Sequence, residues 1–259
     1  MKTTAMLLLA AALALAPSGP AAADDWNLET GREAALVGGA AAVWGTGLWA
    51  RAAAPADTST ARLAAADLWA IDRVATRRWS PGADRAADRL VWVVALAPVG
   101  LMAAGPGRDE AGHLAVMYGE TLLLSGGTTF ALKNLVRRPR PFLYNDDPRI
   151  DDDLRRSGTA HRSFPSGHTA QAFAGAVFFA GTYARLHPGA SSRGWVWAGC
   201  LGAAATTGWL RVEAGRHFPT DVLAGAVLGA ACGWLVPALH ETSGGGGGTP
   251  ARFAVGFAF

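Results

Sequence analysis

Three short clusters in this chain hold the residue types and spacings that chemistry on an anion requires. In the first, Lys133 is followed by Arg140 and Pro141; in the second, Pro165, Ser166, Gly167 and His168 are consecutive; in the third come Arg211, His217 and Asp221. Lys133, Arg140 and Arg211 are fixed cations suited to the oxygens of a phosphate whose charge redistributes in a transition state, Arg by bidentate contact and Lys as a point charge. Ser166 and Gly167 fall where a helix should begin, so their backbone amides can face an anion with the helix dipole behind them. His217 and Asp221 are one helical turn apart, with Pro219 suited to the first turn of the helix that follows, so the carboxylate can lie near the imidazole. An aspartate bonded to one ring nitrogen fixes the tautomer and leaves the other nitrogen to attack phosphorus, while a second histidine protonates the leaving alcohol. On this reading His217 is the nucleophile, Asp221 its orienting partner and His168 the general acid.

These clusters need scaffolding that brings distant parts of the chain together. Six nearly uncharged stretches have helix length: 34–50, 90–107, 113–132, 169–184, 194–210 and 222–239. They are rich in Ala, Gly and Leu, and such small residues let helices approach closely. We expect an all-α bundle of about six apolar helices, embedded in a membrane, with the active site at one end. No stretch separates the first two clusters and two separate the second from the third, so an up-and-down bundle returns all three to the same end. Each stretch alone has the length of a buried helix in a soluble bundle or of a short membrane span. Glu120 falls inside the third stretch and is expected to face the bundle interior or a cavity.

Other segments read differently. Residues 51–89 mix Arg, Asp and Trp with Ala in a pattern that suits an amphipathic surface helix, broken at Pro81 and Gly82. From Lys133 to Pro165 the chain is polar and proline-punctuated, a long loop of the kind that tends to be functional, with Arg137, Arg138, Arg149, Arg155 and Arg156 adding to a local basic concentration. The acidic run Asp151 to Asp153 lacks His or Cys partners and is read as solvated, so neither a metal nor any other cofactor is expected. Cys200 and Cys232 lie in apolar stretches and are read as small buried hydrophobes.

Residues 1–23 look like a signal peptide, with Lys2, an apolar core at 6–16 and small residues before Asp24. The domain is then 24–240, followed by a glycine linker at 244–248 and a tail whose Phe253, Val255, Phe257 and Phe259 alternate; residues 241–259 receive no function. The net charge is +3, with arginines interleaved among aspartates and no basic helix face, which argues against nucleic acid.

Taken together, the clusters resemble the signature of the type 2 phosphatidic acid phosphatase and vanadium haloperoxidase superfamily. That signature is a Lys with Arg-Pro seven and eight residues on, then Pro-Ser-Gly-His, then Ser-Arg, five residues, His, three residues and Asp. One departure is visible, Leu210 in place of the usual Ser before Arg211. The resemblance implies a metal-independent phosphatase that acts on a lipid phosphate or diphosphate ester through a phosphohistidine at His217. It also implies a phosphate pocket of Lys133, Arg140, Arg211, Ser166 and Gly167. The substrate partner would be a lipid phosphate in a membrane, and the location a bacterial envelope: an inner membrane with the site facing the periplasm, or the periplasm itself. A soluble periplasmic acid phosphatase of the same superfamily and a non-enzymatic binder of lipid phosphates remain as alternatives. The oligomeric state is left open.

Overall fold

Each of the six apolar stretches forms a long helix. The structure, a computed structural model, describes residues 26–54, 63–104 and 108–241. The long helices are α1 (Thr30–Ala53), α2 (Pro81–Ala104), α3 (Arg108–Val136), α5 (Gly167–Leu186), α6 (Arg193–Glu213) and α7 (Pro219–Leu239), with a single-turn α4 (Asp152–Arg155) between α3 and α5. Among the described residues there is no β-strand, only an isolated bridge between Trp26 and Glu241. The fold is therefore all-α, as expected. The leader at 1–23 and the tail from residue 242 lie outside the described residues.

Helix α5 is the hub, packed on α2, α3, α6 and α7, while α1 lies against α3. Its tightest partner is α7, and glycine spacing is the cause. Gly225, Gly229 and Gly233 repeat every fourth residue, which puts them on one face of α7. A Cβ at Gly225 would lie 2.5 Å from the Ser166 carbonyl oxygen, at Gly229 2.0 Å from that of Ala170, and at Gly233 2.6 Å from that of Ala174. Only the missing side chains let the two backbones run this close. The contact sets Ser166, at the head of α5, beside Asp221, at the head of α7, and the Ser166 amide donates to the Asp221 carbonyl at 2.9 Å.

The segment read as an amphipathic surface helix is not one continuous helix. Two 3₁₀ turns, Ala65–Asp67 and Arg73–Arg77, precede α2, and Pro81 starts that helix rather than breaking one. Local carbonyls are taken by a side chain, since Arg73 donates to Leu68 O at 3.0 Å and to Ala66 O at 2.8 Å. Asp72 is fully buried against the bundle. Tertiary partners thus override the local pattern.

The polar connection after α3 carries its own apolar cluster, Phe142, Leu143, Ile150 and Ala160, with Trp79 packed on it. Buried Arg155 pins it by donating to Phe142 O at 3.1 Å and Asn145 O at 2.8 Å, so this arginine is structural rather than part of an anion site. Asp151, read as solvated, also caps α4 by accepting from Leu154 N at 2.7 Å. Cys200 and Cys232 are free thiols, half-buried rather than fully so.

Among the described residues, two helices are long and apolar enough to cross a membrane by length and composition, Pro81–Ala103 and Pro219–Leu239. Large apolar side chains also cover outer faces of the bundle, among them Trp49, Trp92, Leu96, Trp195, Trp209 and Val227.

Candidate active site

Three turns at one end of the bundle carry the clusters. Lys133 stands in the last turn of α3, Arg140 follows in the connection, Ser166 to His168 open α5, Arg211 closes α6, and His217 and Asp221 flank the start of α7. The turn from α6 to α7 depends on Gly215, whose φ of +68° is the left-handed region, and whose missing Cβ would lie 2.3 Å from Arg78 O. Past this turn the amides of Arg216 and His217 both donate to the Arg211 carbonyl, at 3.1 and 3.2 Å. That doubling back places the His217 ring beneath the cations.

His217 is 1% exposed, and its Nδ1 has no hydrogen-bond partner. Burial first, and then the positive charges of Lys133, Arg140 and Arg211, hold the imidazole well below its usual range. The ring is therefore neutral at physiological pH, with a lone pair to use. Arg140 reaches only backbone carbonyls, Thr159 O at 2.9 Å, Arg216 O at 3.4 Å and Arg162 O at 3.5 Å. Burial and the neighbouring Arg211 and Arg216 lower its guanidinium to about 9. Lys133 likewise donates to a carbonyl, Arg162 O, at 2.9 Å. Two cations held by neutral acceptors around a neutral imidazole make a pocket short of negative charge.

Arg211 differs from expectation. It is 4% exposed and donates through one terminal nitrogen to Asp84 at 2.6 Å and Asp88 at 3.4 Å, while its Nε has no acceptor. Asp84 also takes Arg216, at 2.7 and 3.0 Å, and Asp88 takes His168 Nε2 at 2.8 Å. Burial and Arg211 lower His168 to about 4, although Asp88 works against them. Asp84 and Asp88 went unrecognised in the sequence, where their one-turn spacing just after Pro81 was the available signal.

Asp221 does not hydrogen-bond the His217 ring. Its Oδ2 lies 3.8 Å from Nδ1, beyond the roughly 2.7–3.2 Å of a hydrogen bond. The carboxylate is engaged elsewhere, accepting from Arg138 at 2.6 Å, Ser163 Oγ at 2.5 Å and the Phe218 amide at 2.9 Å. Arg138 also bonds Asp72 at 2.7 Å and Thr220 Oγ1 at 2.7 Å, with its guanidinium 4.2 Å over the Phe218 ring. Asp72 caps α7 by accepting from Thr220 N at 3.1 Å. This buried network anchors the head of α7, and its members Asp72, Arg138 and Ser163 were not singled out in the sequence. Arg138 sat unmarked within the basic run.

Ser166 also departs from the expected role. Its amide is taken by the Asp221 carbonyl and so does not face an anion, while its buried Oγ accepts from Thr169 Oγ1 at 2.8 Å and keeps its own O–H to donate. Gly167 stays in place at the helix start, where a Cβ would lie 3.6 Å from Lys133 Cε.

The sequence that carries this arrangement matches a known family. A sequence model described as the PAP2 superfamily matches residues 114–244, which include all three clusters. The chain belongs to the PAP2 superfamily. Over 82 residues it is 43% identical to the lipid A 1-phosphatase of Porphyromonas gingivalis, covering 32% of this chain and 17% of that protein. Over 138 residues it is 33% identical to the Probable lipid phosphate phosphatase 4 of Arabidopsis thaliana, covering 45% of this chain and 44% of that protein. The chain thus spans less than half the length of each of these relatives. No solved structure matches this PAP2 chain.

Proposed function

We propose that this PAP2 protein hydrolyses a phosphate or diphosphate ester of a lipid, with His217 as nucleophile and no metal in the chemical step. The observation that carries the proposal is a buried, neutral imidazole under Lys133, Arg140 and Arg211, with an Arg211 Nε lacking an acceptor. A phosphate oxygen would supply that acceptor and balance the cations. The Gly167 amide, in the first turn of α5, is a further donor.

A lone pair on His217 forms a P–N bond while the P–O bond to the alcohol breaks, and His168 gives its proton to the departing oxygen. In the second half water attacks phosphorus, the P–N bond breaks, His168 recovers a proton from that water, and inorganic phosphate leaves. His168 must carry a proton at the outset, and the incoming phosphate provides the negative charge that raises its affinity for one. Asp221, with Oδ2 3.8 Å from Nδ1, needs only a small shift to receive the Nδ1–H as His217 takes on phosphorus. Arg138 and Ser163 hold it there.

The lipid part of the reading is supported by the exposed apolar faces and by the two membrane-length helices. The names of the two relatives point the same way. We place the protein in the membrane of a bacterial envelope, its leader taken from the reading of residues 1–23 and its periplasm-facing site from the resemblance of the three clusters to the superfamily signature.

The test compares purified wild type with His217→Ala on lipid and soluble phosphate esters, with EDTA throughout. Wild-type release unaffected by chelator and a loss of at least about 10³-fold in the variant are expected. Equal release by both proteins removes His217 from the mechanism. Turnover of soluble esters with none on any lipid phosphate removes the lipid.

A further inference from the structure

A second polar cluster lies remote from the phosphate pocket. Glu33 is in the first turn of α1, Glu120 is midway along α3, and His240 follows the end of α7. From Asp221 to His240 is nineteen residues along one helix, about 28 Å. One ligand atom from each of the three side chains lies within 4.8 Å of the others. His240 Nε2 is 2.9 Å from Glu33 Oε2 and 3.3 Å from Glu120 Oε2.

Three features go beyond an acidic cluster. Glu120 is 4% exposed, and neither of its carboxylate oxygens has a hydrogen-bond partner, although one is aimed at His240. The fully buried His240 directs Nδ1 to Val236 O at 2.8 Å, the backbone contact that commonly fixes a metal-binding histidine and leaves Nε2 to ligate. Glu33 is oriented in turn, its Oε1 accepting from Arg32 at 2.9 Å and Glu29 N at 3.0 Å while Oε2 faces the cluster. An imidazolium has one Nε2 proton for two carboxylates, so the cluster is completed either by a proton that Glu120 shares with Glu33 or by a cation. A cation can bind all three groups. Ligand atoms about 2.0–2.1 Å from a tetrahedral Zn²⁺ lie about 3.3 Å apart, close to the separations seen here.

We propose that Glu33, Glu120 and His240 bind a divalent transition-metal cation of the zinc class, which ties α1, α3 and α7 together away from the phosphate pocket. One nitrogen and two carboxylates favour such an ion over Mg²⁺ or Ca²⁺, which prefer all-oxygen shells. Its role is structural: α1 packs on α3 and reaches the end of α7 through Arg32, which donates to Leu239 O at 3.1 Å, and the ion would tie all three helices at one point.

The test uses the full chain in detergent, stripped with EDTA and transferred to metal-free buffer, then titrated with Zn²⁺ by calorimetry and with Co²⁺ by visible absorption. One Zn²⁺ per chain is expected, with a thermal midpoint raised by about 5 °C at saturating Zn²⁺ but not with Mg²⁺. Glu120→Gln and His240→Gln should lose both effects, and Glu33→Gln serves if either fails to fold. His217→Ala should bind Zn²⁺ as wild type does, which separates this site from the catalytic histidines and makes the result independent of turnover. Absence of stoichiometric binding overturns the proposal, as does undiminished binding by Glu120→Gln. A wild type indifferent to Zn²⁺ whose midpoint rises on Glu120→Gln would show that a shared proton occupies the cluster instead.

Discussion

At the scale of single residues, charge state decides what the pocket can do. Buried His217 is held neutral, so below about pH 6.5 the unfolded chain binds a proton there that the folded chain refuses. A base depressed by folding lowers stability as pH falls through its unfolded value, and that loss continues towards the depressed folded one. We expect wild type to lose about 1 kcal/mol more denaturation free energy than His217→Asn between pH 7 and pH 5.5. Equal losses would mean that the ring is not protected from protons. Leu210 bears on the same pocket, since it provides no hydroxyl beside Arg211; the Arg211 Nε is left for an incoming oxygen.

At the scale of elements, the site rests on the contact between α5 and α7. The glycine face of α7 lets the head of α5 reach the head of α7, and the Ser166–Asp221 backbone bond is a consequence. Gly229→Ala would put a Cβ 2.0 Å from Ala170 O, and backbone cannot yield as a side chain can. An overpacking cost of about 1–3 kcal/mol is expected. The thermal midpoint should fall, and phosphate release from a soluble ester should fall with it as Ser166 and Asp221 separate. Gly199→Ala, where a Cβ meets nothing within 4 Å, is the matched control and should leave phosphate release unchanged and the midpoint equal or slightly higher. A midpoint shift as small in Gly229→Ala as in the control would show that the two helices do not pack this closely.

At the scale of the whole molecule, the distribution of apolar surface sets the environment. The helix windows apolar enough to span a membrane are only 22% and 28% buried within the chain, and tryptophans on α1, α2 and α6 point outward. Apolar surface of this extent on a folded chain needs a covering, which on the proposed reading is a bilayer. We expect the protein to stay in the membrane fraction through an alkaline carbonate wash and to need detergent for extraction. Recovery in the soluble fraction would favour the periplasmic acid phosphatase reading.

The sequence by itself determined the helices and the family, and it marked the residues on which the proposed chemistry rests. Apolar runs of helix length specify their own secondary structure, and the spacing of Lys133, Arg140, Pro165 to His168, Arg211, His217 and Asp221 marks the pocket because those positions must recur at the ends of such runs. Partner choice was decided only in the tertiary structure. Asp84 and Asp88 are on the opening turns of α2 and reach Arg211 and His168 across 127 and 80 residues of chain, while Arg138 and Ser163 draw Asp221 away from the imidazole. Glu120 could be expected to face the interior, but its meeting with Glu33 and His240 could not. The physical reason is that local pattern fixes which face of a helix is buried, whereas the identity of a buried charge's partner depends on how separate helices are placed in rotation and along their axes, and here glycines and buried charge networks set that placement.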